Sequence, residues 1–270
     1  MNALVATRAV PIPPSFGTRR SVHMIERNML EYRRVWIYIV SGAVEPIFYL
    51  ASIGVGLGKL VPHVTGPAGQ PVRYIDFVAP ALLATAAMQG AVFDATFTIF
   101  QKLKYSKTYD AILVTPLSVG DIALGEIGWA LLRGALYATT FLIVALCFGA
   151  VHSWFALLAL PAATLIGFAF ASLGMAVTTF MRSWLDFEWV TLAMMPMFLF
   201  STTFFPLAVY PRGVQICVEC TPLYQGIQLV RGLMLGSVGP GLIWNAVYLV
   251  ALGLAGLVVV NRRLGMLLLR

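Results

Sequence analysis

Residues 155–180 read FALLALPAATLIGFAFASLGMAVTTF, an apolar stretch that contains no charged side chain. An α-helix needs about 20 predominantly apolar residues to cross the hydrocarbon core of a bilayer. This stretch is long enough to cross with some tilt. It therefore predicts a membrane-spanning helix.

The composition of the whole chain agrees with this stretch. Hydrophobic residues make up 60% of the sequence and charged residues 11%, with a mean hydropathy of +0.86. Soluble domains average about 45–50% apolar and about 25% charged residues. Five further apolar stretches occupy residues 36–58, 77–100, 122–149, 189–206 and 242–260. We predict an all-α integral membrane protein with six transmembrane helices, of which the fifth is the shortest and contains Pro196.

The basic residues predict the orientation of these helices. The formal net charge is +7, and the positive side chains cluster at the edges of the apolar stretches, as the positive-inside rule describes, so binding to nucleic acid is not expected. One side carries Arg8, Arg19, Arg20, Arg27, Arg33, Arg34, Lys102, Lys104, Lys107, Arg182, Arg262, Arg263 and Arg270. The other side carries only Lys59, Arg73, Arg212 and Arg231. We predict a multi-pass membrane protein with both termini in the cytoplasm.

The N-terminal region divides into two parts. Residues 1–18 contain three prolines and no continuous apolar segment, which predicts a disordered cytoplasmic tail rather than a signal peptide. In residues 19–32, Val22, Ile25, Met29 and Leu30 recur at helical spacing among charged residues. This pattern predicts an amphipathic helix in the membrane interface. Residues 19–270 are expected to form a single transmembrane domain.

The connection between the second and third spans, residues 101–118, reads QKLKYSKTYDAILVTPLS. After a basic start, Tyr109, Ile112 and Leu113 follow helical spacing, and Thr115 precedes Pro116, which disfavours a continuing helix. A short amphipathic helix of this kind suits docking into a groove on a partner protein. A simple connecting loop fits the pattern equally well.

The segment after the fifth span, residues 206–239, is too polar and too interrupted by proline and glycine for a clean span. Two short helices are predicted in it, over residues 214–218 and 223–235. They would dip into the outer leaflet and return, which requires shielding by protein or a wet cavity.

Charged residues inside the predicted spans are candidates for function. Glu45, Asp94, Glu126 and Arg133 could line a substrate path or pair to hold helices together, although Glu126 is close enough to a span end to reach the interface. A self-sufficient secondary transporter or channel that uses Glu45, Asp94 and Arg133 is the alternative function. No Walker A motif, nucleophile elbow or metalloprotease motif occurs, so neither an ATP site nor a catalytic or metal centre is predicted.

Three stretches resemble the ABC-2 type permease family, within it the branch of nodulation-factor (lipo-oligosaccharide) exporters and related polysaccharide and drug exporters. The stretches are residues 45–50 with 54–58; residues 104–118 with 121–126; and residues 200–206 with 222–224 and 229–231. Together with the order of spans, the likeness covers nearly the whole chain. The family often has glycine where Thr202 or Thr203 stands here.

The resemblance implies a transport mechanism. Such permeases form dimers, here expected to be homodimers in contact with membrane lipids, and each subunit pairs with a separate ATPase that holds ATP and Mg²⁺. The 101–118 connection resembles the family's coupling helix, which gives the coupling residues Tyr109, Asp110, Leu113, Thr115, Pro116 and Leu117. The candidate translocation path consists of Glu45, Asp94, Arg133, Phe204 and Phe205. The implied cargo is amphipathic: a lipid-linked glycan, a glycolipid or a hydrophobic drug.

Overall fold

The computed structural model describes residues 18–33, 48–61, 63–66, 69–115 and 117–268. The predicted N-terminal tail and most of the first predicted span lie outside these residues. So do two of the predicted functional residues, Glu45 and Pro116.

The described chain is almost entirely helical, with one small β-hairpin near its start. The hairpin pairs β1 (His63–Thr65) with β2 (Pro71–Arg73) in antiparallel fashion. The α-helices are α1 (Thr18–Arg33), α2 (Gly58–Leu60), α3 (Tyr74–Phe93), α4 (Thr108–Ile112), α5 (Val119–Cys147), α6 (Ala159–Thr178), α7 (Phe187–Phe200), α8 (Arg212–Glu219), α9 (Pro222–Leu235) and α10 (Pro240–Leu268). π-Helical segments cover Leu50–Leu57, Asp94–Thr98 and Gln101–Tyr105, and 3₁₀ turns cover Trp154–Leu158, Trp184–Asp186 and Leu207–Val209.

Four helical stretches in the described residues are long and apolar enough to cross a membrane. They are Tyr74–Tyr105, Val119–Cys147, Trp154–Thr178 and Pro240–Leu268. Each overlaps a predicted span, with ends displaced by up to about eight residues. The first of them continues from α3 through both later π-helical segments, so Lys102 lies in a helix rather than in the predicted connecting loop.

Helix α6 is the centre of the bundle, since α3, α5, α9 and α10 all pack against it. Small residues allow these close approaches, as they commonly do between membrane helices. A Cβ atom at Gly256 of α10 would lie 2.9 Å from the backbone of Ser172, and one at Gly174 of α6 would lie 3.1 Å from Ala95. The outer faces of α5 and α10 keep large apolar side chains exposed, as expected for surfaces that meet lipid.

The fifth predicted span differs most from the structure. Helix α7 has 14 residues, and none of them is buried within the described protomer. Its length of about 21 Å is shorter than the roughly 30 Å hydrocarbon core. The helix ends at Phe200 because Thr202 takes a left-handed backbone conformation, with φ of 60°. The predicted count of six spans is therefore not confirmed by the described residues.

The bundle has two ends, which are named here after residues that mark them. At the Arg73 end, the Arg73 guanidinium donates to both carboxylate oxygens of Asp76, at 2.9 Å each, and to the Gly149 carbonyl oxygen at 2.6 Å. These bonds fasten the start of α3 to the end of α5. At the opposite, Lys102 end, α1 packs across the start of α5.

Candidate functional site

A buried polar cluster joins three elements at the Lys102 end. The Lys102 ammonium donates to the two carboxylate oxygens of Glu126, at 2.9 and 3.0 Å, and to Oδ1 of Asn28 at 3.0 Å. The Asn28 amide nitrogen donates to Glu126 Oε2 at 3.1 Å. All three side chains are buried. A buried charge needs an opposite charge and hydrogen bonds within the protein, and Lys102 and Glu126 supply these to each other together with Asn28.

The sequence around the cluster explains how three distant residues meet. Gly125 leaves room for α1, because a Cβ atom there would lie 2.4 Å from Cβ of Met24. Lys102 lies in the π-helical turn Gln101–Tyr105, which continues the second predicted span, and such turns often occur at functional sites. Glu126, which could have reached the membrane interface alone, instead pairs with Lys102 in the interior.

A second buried ion pair lies deeper in the bundle. Arg133 of α5 donates to the carboxylate of Asp94, in the π-helical segment that follows α3. The guanidinium also lies 5.8 Å from the ring of Tyr137. A cavity of about 10 Å³, large enough for about one water molecule, touches both Asp94 and Glu126. The two ion pairs, together called the polar seam here, both join α5 to the π-helical segments that follow α3.

The predicted coupling segment is a single short helix followed by a turn. Lys107 adopts a left-handed conformation (φ of 45°), which separates α4 from the preceding helix. Tyr109 is fully buried, Leu113 and Leu117 are half-buried, and Asp110 and Thr115 are exposed, with the Thr115 hydroxyl bonded to the Ile112 carbonyl at 2.6 Å.

Val114, which sequence reasoning passed over, is 88% exposed. It follows Leu113 directly and breaks the helical spacing that selected the other apolar residues. This position outside the apolar helical spacing is the feature of the sequence that could have indicated that Val114 is exposed. The structure therefore separates a buried anchor, Tyr109, from an exposed apolar tip, Val114.

A buried arginine organises the Arg73 end. Arg231 of α9 is 2% exposed, with its guanidinium 3.8 Å from the centre of the Phe77 ring. It donates to the carbonyl oxygen of Thr202 at 2.8 Å and to that of Phe77 at 3.3 Å. Arg231 thereby fixes the chain after α7 to both α9 and α3. The sequence placed it in the predicted short helix over residues 223–235 but indicated no role for its charge.

The described candidates for a translocation path do not share one site. Phe204 packs edge-on against Phe198 at 5.3 Å between ring centres, and Phe205 is exposed. Both follow Thr202, which is held beside Phe77. Asp94 lies 17 residues after Phe77 in the continuous helical stretch Tyr74–Tyr105, and is therefore about 25 Å away from Phe77 along the helix. The aromatic candidates and the ion pair thus occupy different depths of the bundle.

Comparison with known proteins identifies the family. The family model described as ABC-2 type transporter matches residues 21–235. Nodulation protein J of Rhizobium meliloti is 36% identical over 214 residues, which cover 78% of this chain and 79% of that relative. Nodulation protein J of Neorhizobium galegae is 32% identical over 240 residues, which cover 87% of each. The chain belongs to the ABC-2 type transporter family.

The family match begins in α1 and ends with the last residue of α9, so it includes both ion pairs and Arg231. The charges of the polar seam satisfy one another and tie α1, α3 and α5 together. The family match and the four long apolar helices indicate a multi-pass membrane protein.

Proposed function

We propose that this chain is the permease subunit of an ATP-binding-cassette exporter. A separate subunit supplies ATP hydrolysis and holds ATP and Mg²⁺, while this chain binds neither. The cargo is an amphipathic molecule such as a lipid-linked glycan, a glycolipid or a hydrophobic drug. Membership of the ABC-2 type transporter family and similarity to Nodulation protein J support this proposal.

The observation that carries the proposal is the exposed apolar tip beside α4. An isolated valine that is 88% exposed at the end of a short helix suits a cleft on a partner. The partner ATPase contacts Val114, with Asp110, Leu113 and Thr115 around it. Buried Tyr109 transmits the contact by holding the segment to the bundle.

The polar seam gives this contact a route into the membrane. Segment 108–117 directly precedes α5, and Glu126 near the start of α5 is bonded to Lys102 and Asn28. Helix α1 carries exposed Val22, Met29 and Leu30, which would lie in the membrane interface. Movement of the tip thus reaches α1, α3 and α5 together.

The proposed topology has six spans with both termini in the cytoplasm of a bacterium, and a single domain over residues 19–270 after a tail of residues 1–18. The Lys102 end faces the cytoplasm, and the Arg73 end faces outward. The fifth crossing consists of α7 with the buried chain that follows it. A second copy of the permease covers α7, whose apolar side chains are unburied in the described protomer.

The test is purification of the tagged protein from its native membrane in a gentle detergent, followed by mass spectrometry and an ATPase assay. We expect a co-purifying Walker-motif subunit and vanadate-sensitive ATPase activity. The variant V114D should lose that subunit, because an apolar cleft rejects a carboxylate. The matched control V209D changes another exposed valine, between α7 and α8, and should keep it.

Two outcomes would contradict the proposal. The first is a lone protein without ATPase activity, from a preparation that preserves other complexes; it would favour the gradient-driven alternative, with Asp94 and Arg133 as the next targets. The second is unchanged recovery of the ATPase with V114D, which would reject Val114 as the docking tip.

A further inference from the structure

A cavity of about 440 Å³ lies between α9 and the start of α10, at the Arg73 end. Side chains from α8, α9, the connection that follows α9 and the first turns of α10 line it. They are Glu219, Tyr224, Gln225, Gln228, Ser237, Leu242, Trp244 and Asn245. The volume falls within the range of about 300–1,000 Å³ that is typical of small-ligand pockets.

The depth of the cavity follows from the length of α10. Trp244 near its start and Arg262 near its end are 18 residues apart, which is about 27 Å along the helix. This is close to the thickness of the hydrocarbon core, and tryptophan and arginine are both typical of its boundaries. The cavity therefore opens at the level of the lipid headgroups, where a polar ligand can enter from water.

The charges of the lining select against anions. Among the described residues that line the cavity, none is a lysine or an arginine, and one, Glu219, is acidic. Phosphate and carboxylate groups are normally bound by arginine or lysine, so no described lining side chain would pair with a phosphorylated headgroup or an acidic ligand, and Glu219 would repel it. The charges of the lining therefore disfavour an anionic ligand.

The uncharged polar groups suit hydroxyl groups. Gln225, Gln228 and Asn245 carry amides, which both donate and accept hydrogen bonds as hydroxyls require. The Gln225 nitrogen donates to the Glu219 carbonyl oxygen at 2.6 Å, so its oxygen remains as an acceptor. The Ser237 hydroxyl oxygen is buried without a hydrogen-bond partner in the described part of the chain, which is costly unless a ligand or water fills the place.

An aromatic surface completes the lining. Trp244 is 67% exposed, and its indole presents a flat apolar face beside the amides. A sugar ring has the matching composition, with an apolar face of C–H groups and a rim of hydroxyls. Burial is the main reason that the pKa of the Tyr224 hydroxyl is raised; Glu219 raises it as well, whereas Arg231 and a hydrogen bond with Gln228 act in the opposite direction.

We propose that this cavity binds one or two neutral sugar residues of a glycan. The outward position of the cavity rests on the proposed topology, but the binding itself needs no ATPase. Failure of one proposal is therefore distinguishable from failure of the other.

The experiment is saturation-transfer NMR on the full chain in lipid nanodiscs, titrated with neutral tetrasaccharides of glucose and of N-acetylglucosamine. Glycerophosphocholine and glycerol phosphate serve as headgroup probes. We expect saturable binding of at least one tetrasaccharide and none of the phosphates, with the strongest transfer at ring C–H protons. Q228A and N245A should each weaken binding at least tenfold, and W244L should abolish the C–H transfer.

I243A is the matched control, since Ile243 adjoins Trp244 but does not line the cavity. Variants are compared only where size-exclusion profile and Tm equal those of the wild type, and W244L serves if an amide variant fails to fold. Absence of saturable sugar binding would overturn the proposal. Binding that is unchanged in Q228A, N245A and W244L, or phosphate binding as strong as sugar binding, would overturn it as well.

Discussion

The cluster of Asn28, Lys102 and Glu126 supports a quantitative prediction about stability. Substituting Lys102 by methionine leaves the Glu126 carboxylate buried, with only the Asn28 amide to bond it. Removing one partner of a buried ion pair typically costs about 3–5 kcal/mol. For a chain of this size, that loss corresponds to a fall in Tm of roughly 10 °C. We expect K102M and E126M each to be destabilised by this order of magnitude.

The double variant decides whether the pair itself is responsible. Replacing both members by apolar residues of similar size removes the desolvated charges together, which is often neutral or stabilising. K102M/E126M should therefore be much more stable than the sum of the single effects predicts, with a coupling energy of about 3 kcal/mol. The free energy of unfolding would be measured by denaturant titration in mixed micelles.

The matched control is K104M, which makes the same change at an exposed lysine two residues away and should leave the stability near that of the wild type. The reasoning is refuted if K102M costs no more than K104M. It is also refuted if the effects of K102M and E126M simply add.

The remaining predictions concern backbone strain, helix packing and the buried arginine. T202G should raise Tm by a few degrees. A left-handed backbone costs a non-glycine residue about 1–2 kcal/mol, and the buried Thr202 hydroxyl lacks a partner in the described chain. A lower Tm, measured by differential scanning fluorimetry, would contradict this. G125L should displace α1, since even a Cβ atom at this position would lie 2.4 Å from Cβ of Met24. Limited proteolysis of the detergent-solubilised protein should then cut α1 faster than in the control G134L, where a Cβ atom would meet open space. R231M should lower the free energy of unfolding by about 1–3 kcal/mol, since two buried carbonyls lose their donor; unchanged stability would show that these bonds contribute little.

The long helices were the easiest elements to predict from sequence. Their apolar lengths follow from the thickness of the bilayer, which is the same for any chain that crosses it. The stretch at 155–180 needed no knowledge of its neighbours, and the structure has helix from Trp154 to Thr178 there. The two short helices after the fifth predicted span were also foreseen, from the apolar runs at 214–218 and 223–235, where the structure has Arg212–Glu219 and Pro222–Leu235.

The polar contacts were harder to predict. Asp94 and Arg133 are 39 residues apart, and Asn28 and Glu126 are 98 apart, so nothing in local spacing indicates that they meet. The end of α7 was misplaced for a similar reason. Threonine rarely adopts a left-handed backbone, and here the carbonyl of Thr202 is held by Arg231 of a different helix.

The sequence by itself determined that this chain is a helical membrane protein, where most of its apolar helices lie, and that a short segment near residue 110 resembles a docking element. These features depend on the local balance of apolar, charged and helix-ending residues. Only the tertiary structure decided which charges pair, that Tyr109 is buried while Val114 is exposed, and that a polar cavity opens beside Trp244. These features depend on how closely the helices approach, and that distance is set by glycines and side chains on both partners at once.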